Sequence, residues 1–149
     1  MPHEASHAGY SLSDDPARID VDLVHRFLST ESYWARGIPR EIVAQSIANS
    51  LCCGAYDSTG AQVAGVRVVT DFATYGWVCD MFVLPLHRGR GLSKALLQVV
   101  LSHPRLRPLR RLALATHDAH GLYAQFGFVP LHHPDNHLEK RRPNPYGPG

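Results

Sequence analysis

The sequence predicts an α+β fold in which one mixed central sheet is flanked by helices. Two apolar runs in the middle of the chain, Leu51–Tyr56 and residues 63–69, flank the turn-forming residues 57–60, which indicates an antiparallel hairpin. Further along, helical and strand-like segments alternate, so the later strands are joined by helical crossovers. The chain has 149 residues, 44% of them apolar, which is enough for one domain with a substantial core.

The first third of the chain predicts a short strand and two helices. Residues 1–9 are expected to be loose, and Tyr10–Ser13 to form the first strand. Asp20 is a favourable N-cap for the first helix, a loop follows at residues 31–37, and Pro39 opens the second helix. The apolar residues expected to face inward from these two helices are Val21, Val24, Phe27, Leu28, Ile42, Val43 and Ile47.

The second half of the chain predicts two strand–helix units and a final strand. Residues 75–84 form a third apolar run that ends at a proline. Residues 91–101 carry apolar side chains at spacings of three and four, which is typical of a helix. A strand is predicted over 109–116, a short helix over 119–126 and the start of a last strand at 127–129. We predict one domain over residues 1–131 and a flexible tail over 132–149, which is rich in His, Pro, Arg and Gly.

The composition argues against several classes of protein. The formal net charge is only +2 at pH 7, so no strong overall field attracts nucleic acid. No window approaches the ~18 apolar residues of a membrane-spanning helix, and the N-terminus lacks the apolar core of a signal peptide. The three cysteines are odd in number and lie in apolar runs, which indicates reduced thiols rather than a disulfide framework or zinc site. We therefore expect a cytoplasmic protein with no metal, membrane or nucleic-acid partner.

The segment from Asp80 to Leu97 carries the clearest chemical signal. A strand ends at Pro85, and a loop containing Gly89 and Gly91 leads directly into a strong helix. Glycines let successive backbone N–H groups point at one anion, and the helix N-terminus adds its positive dipole end. The cationic side chains in the same place are those of Arg88, Arg90 and Lys94. This arrangement predicts a pyrophosphate site, whereas the alternative is a basic turn that only caps the helix. Neither the Walker pattern nor the three-glycine dinucleotide pattern is present.

A second segment, HDAHGLYAQFGF at residues 117–128, resembles part of the GNAT superfamily of acyl-CoA-dependent N-acetyltransferases. The family's Ala-x-x-x-Tyr-x-x-x-Gly-Phe pattern is matched by Ala119, Tyr123, Gly127 and Phe128. Its upstream loop pattern, Arg/Gln-x-x-Gly-x-Gly/Ala, is filled by Arg88, Gly91 and Ser93, with Val83-Leu84-Pro85 before it. Ser93 departs from the usual small residue, and Thr116 stands where many relatives have asparagine. The resemblance implies a GNAT-like fold and acetyl-CoA as co-substrate.

The resemblance also implies where the donor binds. In the family, a bulged strand offers backbone N–H groups to the pantetheine arm, and by position these belong to Met81, Phe82 and Val83. The residues implied around the rest of acetyl-CoA are Arg88, Gly89, Arg90, Gly91, Leu92, Ser93, Lys94, Thr116, His120 and Tyr123.

The catalytic roles are predicted in the same way. Tyr123 occupies the family position that hands a proton to the departing thiolate, and its alternative is a tyrosine packed between helix and sheet. Asp80 lies in an otherwise apolar strand and is a candidate base for the amine proton, or else a structural carboxylate that answers Arg67. His120 is a second candidate base, and a chain of water molecules is a third possibility.

The acceptor site is predicted around the loop between the first two helices. This loop contains Tyr33, Trp34 and Arg36, which can form an aromatic wall and a carboxylate partner, or can simply pack on the sheet. Asp71 and Tyr75, near the turn between central strands, are further candidates. We expect a small-molecule amine, with protein termini and lysines as the alternative, and the sequence leaves open whether the protein is a homodimer.

Three rival functions have some support in the sequence. One is a non-catalytic, CoA-binding regulatory module, which the presence of Tyr123 and Asp80 disfavours. A nucleic-acid-binding surface is suggested by Arg105, Arg107, Arg110, Arg111 and residues 140–142, although the low net charge favours an ordinary solvated face. A metal site is suggested by His132, His133 and His137, whose spacing matches no closed structural site.

Overall fold

The computed structural model describes residues 1–147, and the chain forms two compact units, residues 1–115 and residues 116 onward. The first unit contains strands β1 (Glu4–His7), β2 (Tyr10–Ser13), β3 (Leu51–Tyr56), β4 (Gln62–Thr70), β5 (Tyr75–Val83) and β6 (Arg111–Leu114). Its helices are α1 (Val21–Thr30), α2 (Arg40–Ala48) and α3 (Leu92–Leu101). The second unit contains one short helix, α4 (His120–Ala124), and a 3-10 turn at Pro134–Asn136.

The six strands form one sheet in the order in which they occur along the chain. Every neighbouring pair is antiparallel except β5 and β6, which are parallel. The parallel pair follows from the connection, because α3 carries the chain back from the end of β5 to the start of β6. The predicted α+β fold, a mixed sheet flanked by helices, is confirmed.

Two clusters of buried side chains fill the first unit. The larger one joins α3 to residues of β2 to β5, and Leu96 and Val100 at its centre are fully buried. The smaller one joins α1, α2 and the segment between them, with Val43 fully buried, and it includes Phe82 of β5. The ring of Phe82 stacks on that of Phe27, with centroids 4.8 Å apart. The apolar faces predicted for these helices therefore supply both clusters, with one exception. Ile42 was predicted to face inward, but it is 40% exposed and belongs to neither cluster, so that prediction was wrong.

The N-terminal prediction was wrong, because residues 4–7 form β1 instead of a loose end. They pair with β2 around a two-residue turn in which Ala8 and Gly9 have φ of 50° and 86°. Two consecutive residues with positive φ make the tight hairpin turn that suits twisted strands. Ala-Gly is a weak signal for this turn compared with Asn-Gly or Asp-Gly, and this explains why the sequence did not predict the hairpin.

The last predicted strand was also wrong, since residues 127–129 are not part of a strand in the described structure. They instead end α4: the N–H of Phe128 donates to the carbonyl of Tyr123, and that of Gly127 to Ala124. Gly127 has φ of 89°, and the rings of Tyr123 and Phe128 meet edge to face. This is a Schellman helix ending with its usual apolar contact.

The tail prediction concerns residues 132–149, of which 148 and 149 lie outside the described residues. All described residues from His132 to Gly147 are exposed, and Pro134–Asn136 form a 3-10 turn. The division into a domain over 1–131 and a tail after it stays a prediction.

Candidate donor and acceptor site

Strand β5 contains a β-bulge at the position where the sequence predicts the pantetheine-binding backbone. Its register on β4 shifts, since Cys79 pairs with Arg67 whereas Phe82 pairs with Gly65. Two residues of β5, Asp80 and Met81, therefore oppose a single residue of β4, and Asp80 takes a left-handed conformation with φ of 53°. A bulge leaves an extra residue without a regular ladder partner.

The bulge also reverses the faces to which the later side chains of β5 point. In a regular strand, side chains four residues apart point to the same face. Here Val78 belongs to the cluster beneath α3, while Phe82 belongs to the cluster beneath α1 and α2. The inserted residue thus turns Phe82 toward the first two helices and leaves Met81 and Val83 partly buried against the α3 cluster.

Strands β5 and β6 part immediately before the bulge. The pairing of β6 with β5 covers Tyr75 to Val78 and goes no further. From Cys79 to Val83, the edge of β5 on that side therefore has no partner strand in the described structure. An open strand edge offers backbone N–H and C=O groups to an extended, amide-containing ligand.

The loop after β5 has the shape predicted for an anion site. A 3-10 turn at Pro85–His87 leads to Gly89 and Gly91, whose φ values are 77° and 78°. Gly91 is the N-cap of α3, and no side chain caps the first turn of that helix. The N–H groups of this turn are therefore available to an anion, which the helix dipole also attracts.

The cationic side chains of the loop are exposed, and two of them are held by the protein. Arg88 donates from Nε to the carbonyl of Val83 at 2.9 Å, which ties the loop to the end of β5. Arg90 donates from Nη1 to the hydroxyl of Tyr10 at 3.1 Å. Lys94 is exposed on the first turn of α3. The loop therefore presents positive charge beside the uncapped helix end.

Each carboxylate oxygen of Asp80 accepts one hydrogen bond, one from a charged side chain and the other from a neutral one. Arg67 donates from Nε to Oδ2 at 2.8 Å, and Trp34 donates from Nε1 to Oδ1 at 2.8 Å. Arg67 also reaches Ser50 Oγ at 3.1 Å. The Asp80 and Arg67 side chains are 12% and 20% exposed. The contacts favour the structural alternative for Asp80, in which it answers Arg67.

The segment between α1 and α2 places its aromatic residues near this ion pair. Tyr33 and Trp34 meet edge to face with centroids 5.0 Å apart, and both are exposed. The hydrogen bond from Trp34 to Asp80 ties this segment to the bulge. Arg36 is also exposed. The ion pair also lines an apolar cavity, whose other lining residues include Ile19, Val24, Ile47 and Phe82.

Asp71 and Tyr75 have local partners at the turn between β4 and β5. One oxygen of Asp71 accepts from the N–H groups of Ala73, Thr74 and Tyr75, and the other accepts from the Thr74 hydroxyl. These hydrogen bonds lower the pKa of Asp71 below its usual range. Arg111 lies over the Tyr75 ring at 5.5 Å. The carboxylate of Asp71 is thus occupied in shaping the turn.

The cysteines are free thiols and are unsuited to nucleophilic chemistry. Cys52 and Cys53 are buried, and Cys79 is partly buried. Burial raises the pKa of each thiol to about 12. Since the thiolate is the reactive form, no acyl-cysteine intermediate is expected at these positions.

In the second unit, the predicted residues lie in and just before α4. Thr116 accepts from the backbone N–H of Ala119 at 3.1 Å, so its hydroxyl helps to start the helix. His120 is exposed at the first position of α4. Tyr123 is buried, with 9% of its surface exposed.

Two residues near the loop were missed by the sequence analysis. His7 and Tyr10 flank the turn of the β1–β2 hairpin, and both bond to Arg90. Residues 1–9 showed no apolar periodicity, and Ala-Gly is only a weak turn signal, so the sequence did not predict the hairpin or these contacts. The described part of the chain contains no group of three or more side chains arranged to hold a metal ion. It also contains no helix long and apolar enough to cross a membrane.

Comparison with known proteins places these features in a common context. Residues 48–130 match the sequence profile of the acetyltransferase (GNAT) domain. The chain is 45% identical to a Xanthomonas campestris protein assigned to the GNAT acetyltransferases; the match covers 96% of this chain and 100% of that one, with a TM-score of 0.92. A Gibberella zeae protein whose name assigns it provisionally to the acetyltransferases is 28% identical over 83% of this chain and 81% of its own length.

A more distant structure shares the fold alone. It is a Clostridium acetobutylicum protein, assigned to the acetyltransferases and solved with acetyl-CoA, which is 18% identical. The match covers 89% of this chain and 94% of that one, with a TM-score of 0.65.

Proposed function

Because the chain belongs to the GNAT family of acetyltransferases, we propose that it is an N-acetyltransferase. It moves the acetyl group of acetyl-CoA to a primary amine of a small molecule, by direct attack in a ternary complex. The activity is cytoplasmic and involves no metal, membrane or nucleic acid.

This function is supported mainly by three features that follow one another along the chain: the bulge in β5, the open edge of that strand and the uncapped N-terminus of α3. The pyrophosphate of acetyl-CoA binds at residues 88–94, where exposed cations surround the start of α3. The pantetheine arm, which contains two amides, lies along Met81, Phe82 and Val83, where β5 no longer has β6 beside it. Extended amides suit an open strand edge because both sides can exchange backbone hydrogen bonds.

The reaction transfers one carbonyl carbon from sulfur to nitrogen. The lone pair of the neutral amine attacks the thioester carbon, a C–N bond forms, and the C–S bond breaks as the sulfur leaves with its electron pair. The nitrogen then loses a proton, and the thiolate gains one. Positioning of the two substrates supplies much of the rate gain, since the amine is already a good nucleophile once neutral.

Tyr123 is the proposed acid for the leaving thiolate, and Thr116 and His120 are proposed contacts to the donor. An ordinary tyrosine has a pKa of about 10 and an ordinary thiol about 8.5, so the proton moves with little penalty. Asp80 and His120 are the candidate groups that accept the amine proton. Since Arg67 and Trp34 each bond to one oxygen of Asp80, an amine would share that carboxylate with both of them.

The acceptor is proposed to bind beside the segment between α1 and α2. Tyr33 and Trp34 present an exposed aromatic pair there, and Arg36 adds a cation. Tyr75 stays a candidate at the edge of the site, whereas Asp71 has its carboxylate engaged in the turn.

The test is thiol release from acetyl-CoA across a panel of small amines, with Tyr123→Phe in parallel. Turnover with one amine class is expected, with kcat lowered about 100-fold in the variant because an acid catalyst contributes that order. Tyr146→Phe, an exposed tyrosine of the same unit, is the control and should retain full activity.

Two other results would redirect the proposal. Tight CoA binding by calorimetry with no turnover would favour a protein amine as acceptor or a non-catalytic acyl-CoA-binding regulatory module. Absence of CoA binding would overturn the proposed function.

A further inference from the structure

We propose that the N-terminal hairpin, β1 and β2, is part of the donor site. In this arrangement, His7 and Tyr10 are positioning residues that hold the loop 88–91 in its anion-binding conformation. The inference rests on the proposed function, because the ligand of the loop is taken to be the pyrophosphate of acetyl-CoA.

His7 holds the backbone of the loop immediately before α3. Its Nε2 lies 2.7 Å from the carbonyl oxygen of Arg90. A carbonyl can only accept, so the imidazole donates and holds this peptide group in one orientation. In a trans peptide the C=O and N–H groups point in opposite directions. With the carbonyl turned toward His7, the N–H of Gly91 is turned to the opposite side.

The same contact disfavours any side chain at position 91. A Cβ built on Gly91 would lie 3.0 Å from Nε2 of His7. Gly91 also has φ of 78°, a conformation that other residues rarely adopt. Gly89 has a similar φ, yet a Cβ there would meet no atom within 4 Å. His7 therefore approaches the loop closely at the residue that begins the helix.

Tyr10 holds the side chains on the two flanks of the loop. Its hydroxyl accepts from Arg90 Nη1 at 3.1 Å and lies 2.8 Å from His87 Nδ1. The hydroxyl proton is free to donate to that nitrogen, which completes a chain from Arg90 through Tyr10 to His87. Tyr10 is only 6% exposed and belongs to the core, so this anchor is rigid. A guanidinium has five N–H donors, so Arg90 retains others for an anion.

The other end of the hairpin holds the opposite end of α3. His103, just after the helix, donates from Nε2 to Asp14 Oδ2 at 2.6 Å. The N–H of His3 donates to the second oxygen of Asp14 at 2.7 Å, and His3 Nε2 lies 3.3 Å from Ser102 Oγ. From His3 to His7 a strand advances roughly 13 Å, and α3 is about as long. One hairpin thus grips both ends of the helix whose N-terminus meets the phosphates.

The contacts of the hairpin concern the phosphate end of the donor. His7 and Tyr10 bond to His87 and Arg90, whereas the proposed pantetheine edge is Met81 to Val83. Loss of either contact is therefore expected to weaken ligands that carry the pyrophosphate and to spare ligands that lack it. A merely structural defect would weaken both kinds of ligand.

The experiment measures CoA and pantetheine binding by calorimetry for the wild type, Tyr10→Phe and His7→Ala. His7→Ala should bind CoA about fivefold more weakly, the usual effect of one lost hydrogen bond, and Tyr10→Phe, which loses two, should bind it at least as weakly. Both variants should bind pantetheine as the wild type does. His7→Gln should recover part of the loss, because its amide can donate in place of the imidazole. Where an acceptor amine is known, KM for acetyl-CoA should rise with kcat unchanged.

Tyr56→Phe is the matched control. Tyr56 is 1% exposed, and its hydroxyl has no hydrogen-bond partner within the described chain, so the same change there should leave CoA affinity unaltered. If Tyr10→Phe fails to fold, His7→Ala decides, since the His7 side chain is only half-buried.

The contradicting results are distinguishable. CoA affinity equal to the wild type in both variants, or an equal loss for CoA and pantetheine, would overturn the positioning role while leaving the proposed function intact. A wild-type protein that binds no CoA would overturn both.

Discussion

Asp80 combines an unusual backbone conformation with a partly buried charge. Its φ of 53° lies in a region that costs an ordinary residue about 1–2 kcal/mol, although aspartate tolerates it better than most. The cost is offset by bonds from Arg67 and Trp34, which fill both carboxylate oxygens. One residue thereby joins the bulge in β5 to the segment between α1 and α2.

A double-mutant cycle separates the structural and catalytic roles of Asp80. We expect Asp80→Asn and Arg67→Met each to lower the free energy of unfolding by about 2 kcal/mol, less than for a fully buried pair because both groups are partly exposed. The double variant should lose less than the sum, since neither charge is left alone. Urea denaturation measures all four proteins.

The kinetics of the same variants decide the role. If Asp80 is structural, Arg67→Met should lower kcat as much as Asp80→Asn does. If Asp80 is the base, kcat should fall only in the variants that carry Asp80→Asn. The control is the exposed pair of Asp22 and Arg40, whose removal should leave the free energy of unfolding nearly unchanged because solvent screens the pair.

The cysteines provide a second test at the residue scale. Burial raises the pKa of Cys52, Cys53 and Cys79 to about 12, so their thiols are protonated at every ordinary pH. We expect Ellman's reagent to label the native protein slowly at pH 8 and to label all three thiols rapidly in guanidinium. Rapid labelling of the native protein would show that a thiol is exposed and ionised.

At the scale of elements, the junction of β5 with α3 determines the geometry of the proposed donor site. The bulge moves Phe82 to the α1–α2 cluster, the end of the β6 ladder frees the edge of β5, and two glycines with positive φ start α3 without a side-chain cap. Each change is a local departure from a regular strand or helix. Together they place an open edge and a helix N-terminus within one continuous segment.

Glycine substitutions test this junction. Gly89→Ala should cost about 1 kcal/mol of stability from the positive φ alone, whereas Gly91→Ala should cost more because its Cβ also meets His7. Both should weaken CoA binding, Gly91→Ala the more strongly. Thermal melts and calorimetry with CoA measure the two effects.

Gly60→Ala is the control for backbone strain. Gly60 has φ of 88° and open space around it, in the turn between β3 and β4. The Gly60→Ala variant should lose about as much stability as Gly89→Ala and should bind CoA as the wild type does. Equal CoA affinity in all three variants would mean that the loop conformation does not matter for binding.

At the scale of the molecule, contacts between residues far apart in the chain hold the first unit together. The hairpin at the N-terminus reaches α3 through His103 and Asp14, which are 89 residues apart. His103 is 3% exposed, and its Nδ1 accepts from the N–H of Arg105, so both ring nitrogens have partners. The pair therefore links β2 to the turn that precedes β6.

This pair predicts an acid dependence of stability. Burial disfavours ionisation of Asp14, but the hydrogen bonds from His103 and His3 outweigh it, so the pKa of Asp14 lies below its ordinary value of 3.8. The stabilisation is thus fully present above about pH 4–5 and is lost as the pH falls through the lowered pKa. Melting temperatures from pH 6 to 2 should fall more steeply for the wild type than for Asp14→Asn. Parallel curves would contradict a stabilising role for the hydrogen bonds to Asp14.

Much of the fold was predictable because its elements have strong local signals. The hairpin of β3 and β4 has turn residues between two apolar runs, and α3 has a complete apolar face. The failures have local causes as well. Strand β1 is short and exposed, so its partner β2 rather than its own sequence makes it a strand. Residues 127–129 look like a strand, but Gly127 adopts a left-handed conformation and ends α4.

The candidate site also has features that the sequence predicts and features that it does not. The two glycines and the cations of the loop are visible in the sequence, because positive φ and local charge depend on residue type at one place. The partners of that loop are not visible, because His7 and Tyr10 reach it from about 80 residues away. The ion pair of Asp80 with Arg67 was one of two alternatives until the strands were aligned.

The sequence by itself determined the class of fold, the basic glycine loop before α3 and the family to which the chain belongs, since each is encoded by neighbouring residues. The tertiary structure alone decided which carboxylates are already occupied, where β5 parts from β6, and which distant side chains hold the loop. The physical reason is range. Turn, helix and glycine preferences act over a few residues, whereas register and ion pairing depend on which strands the whole chain brings side by side.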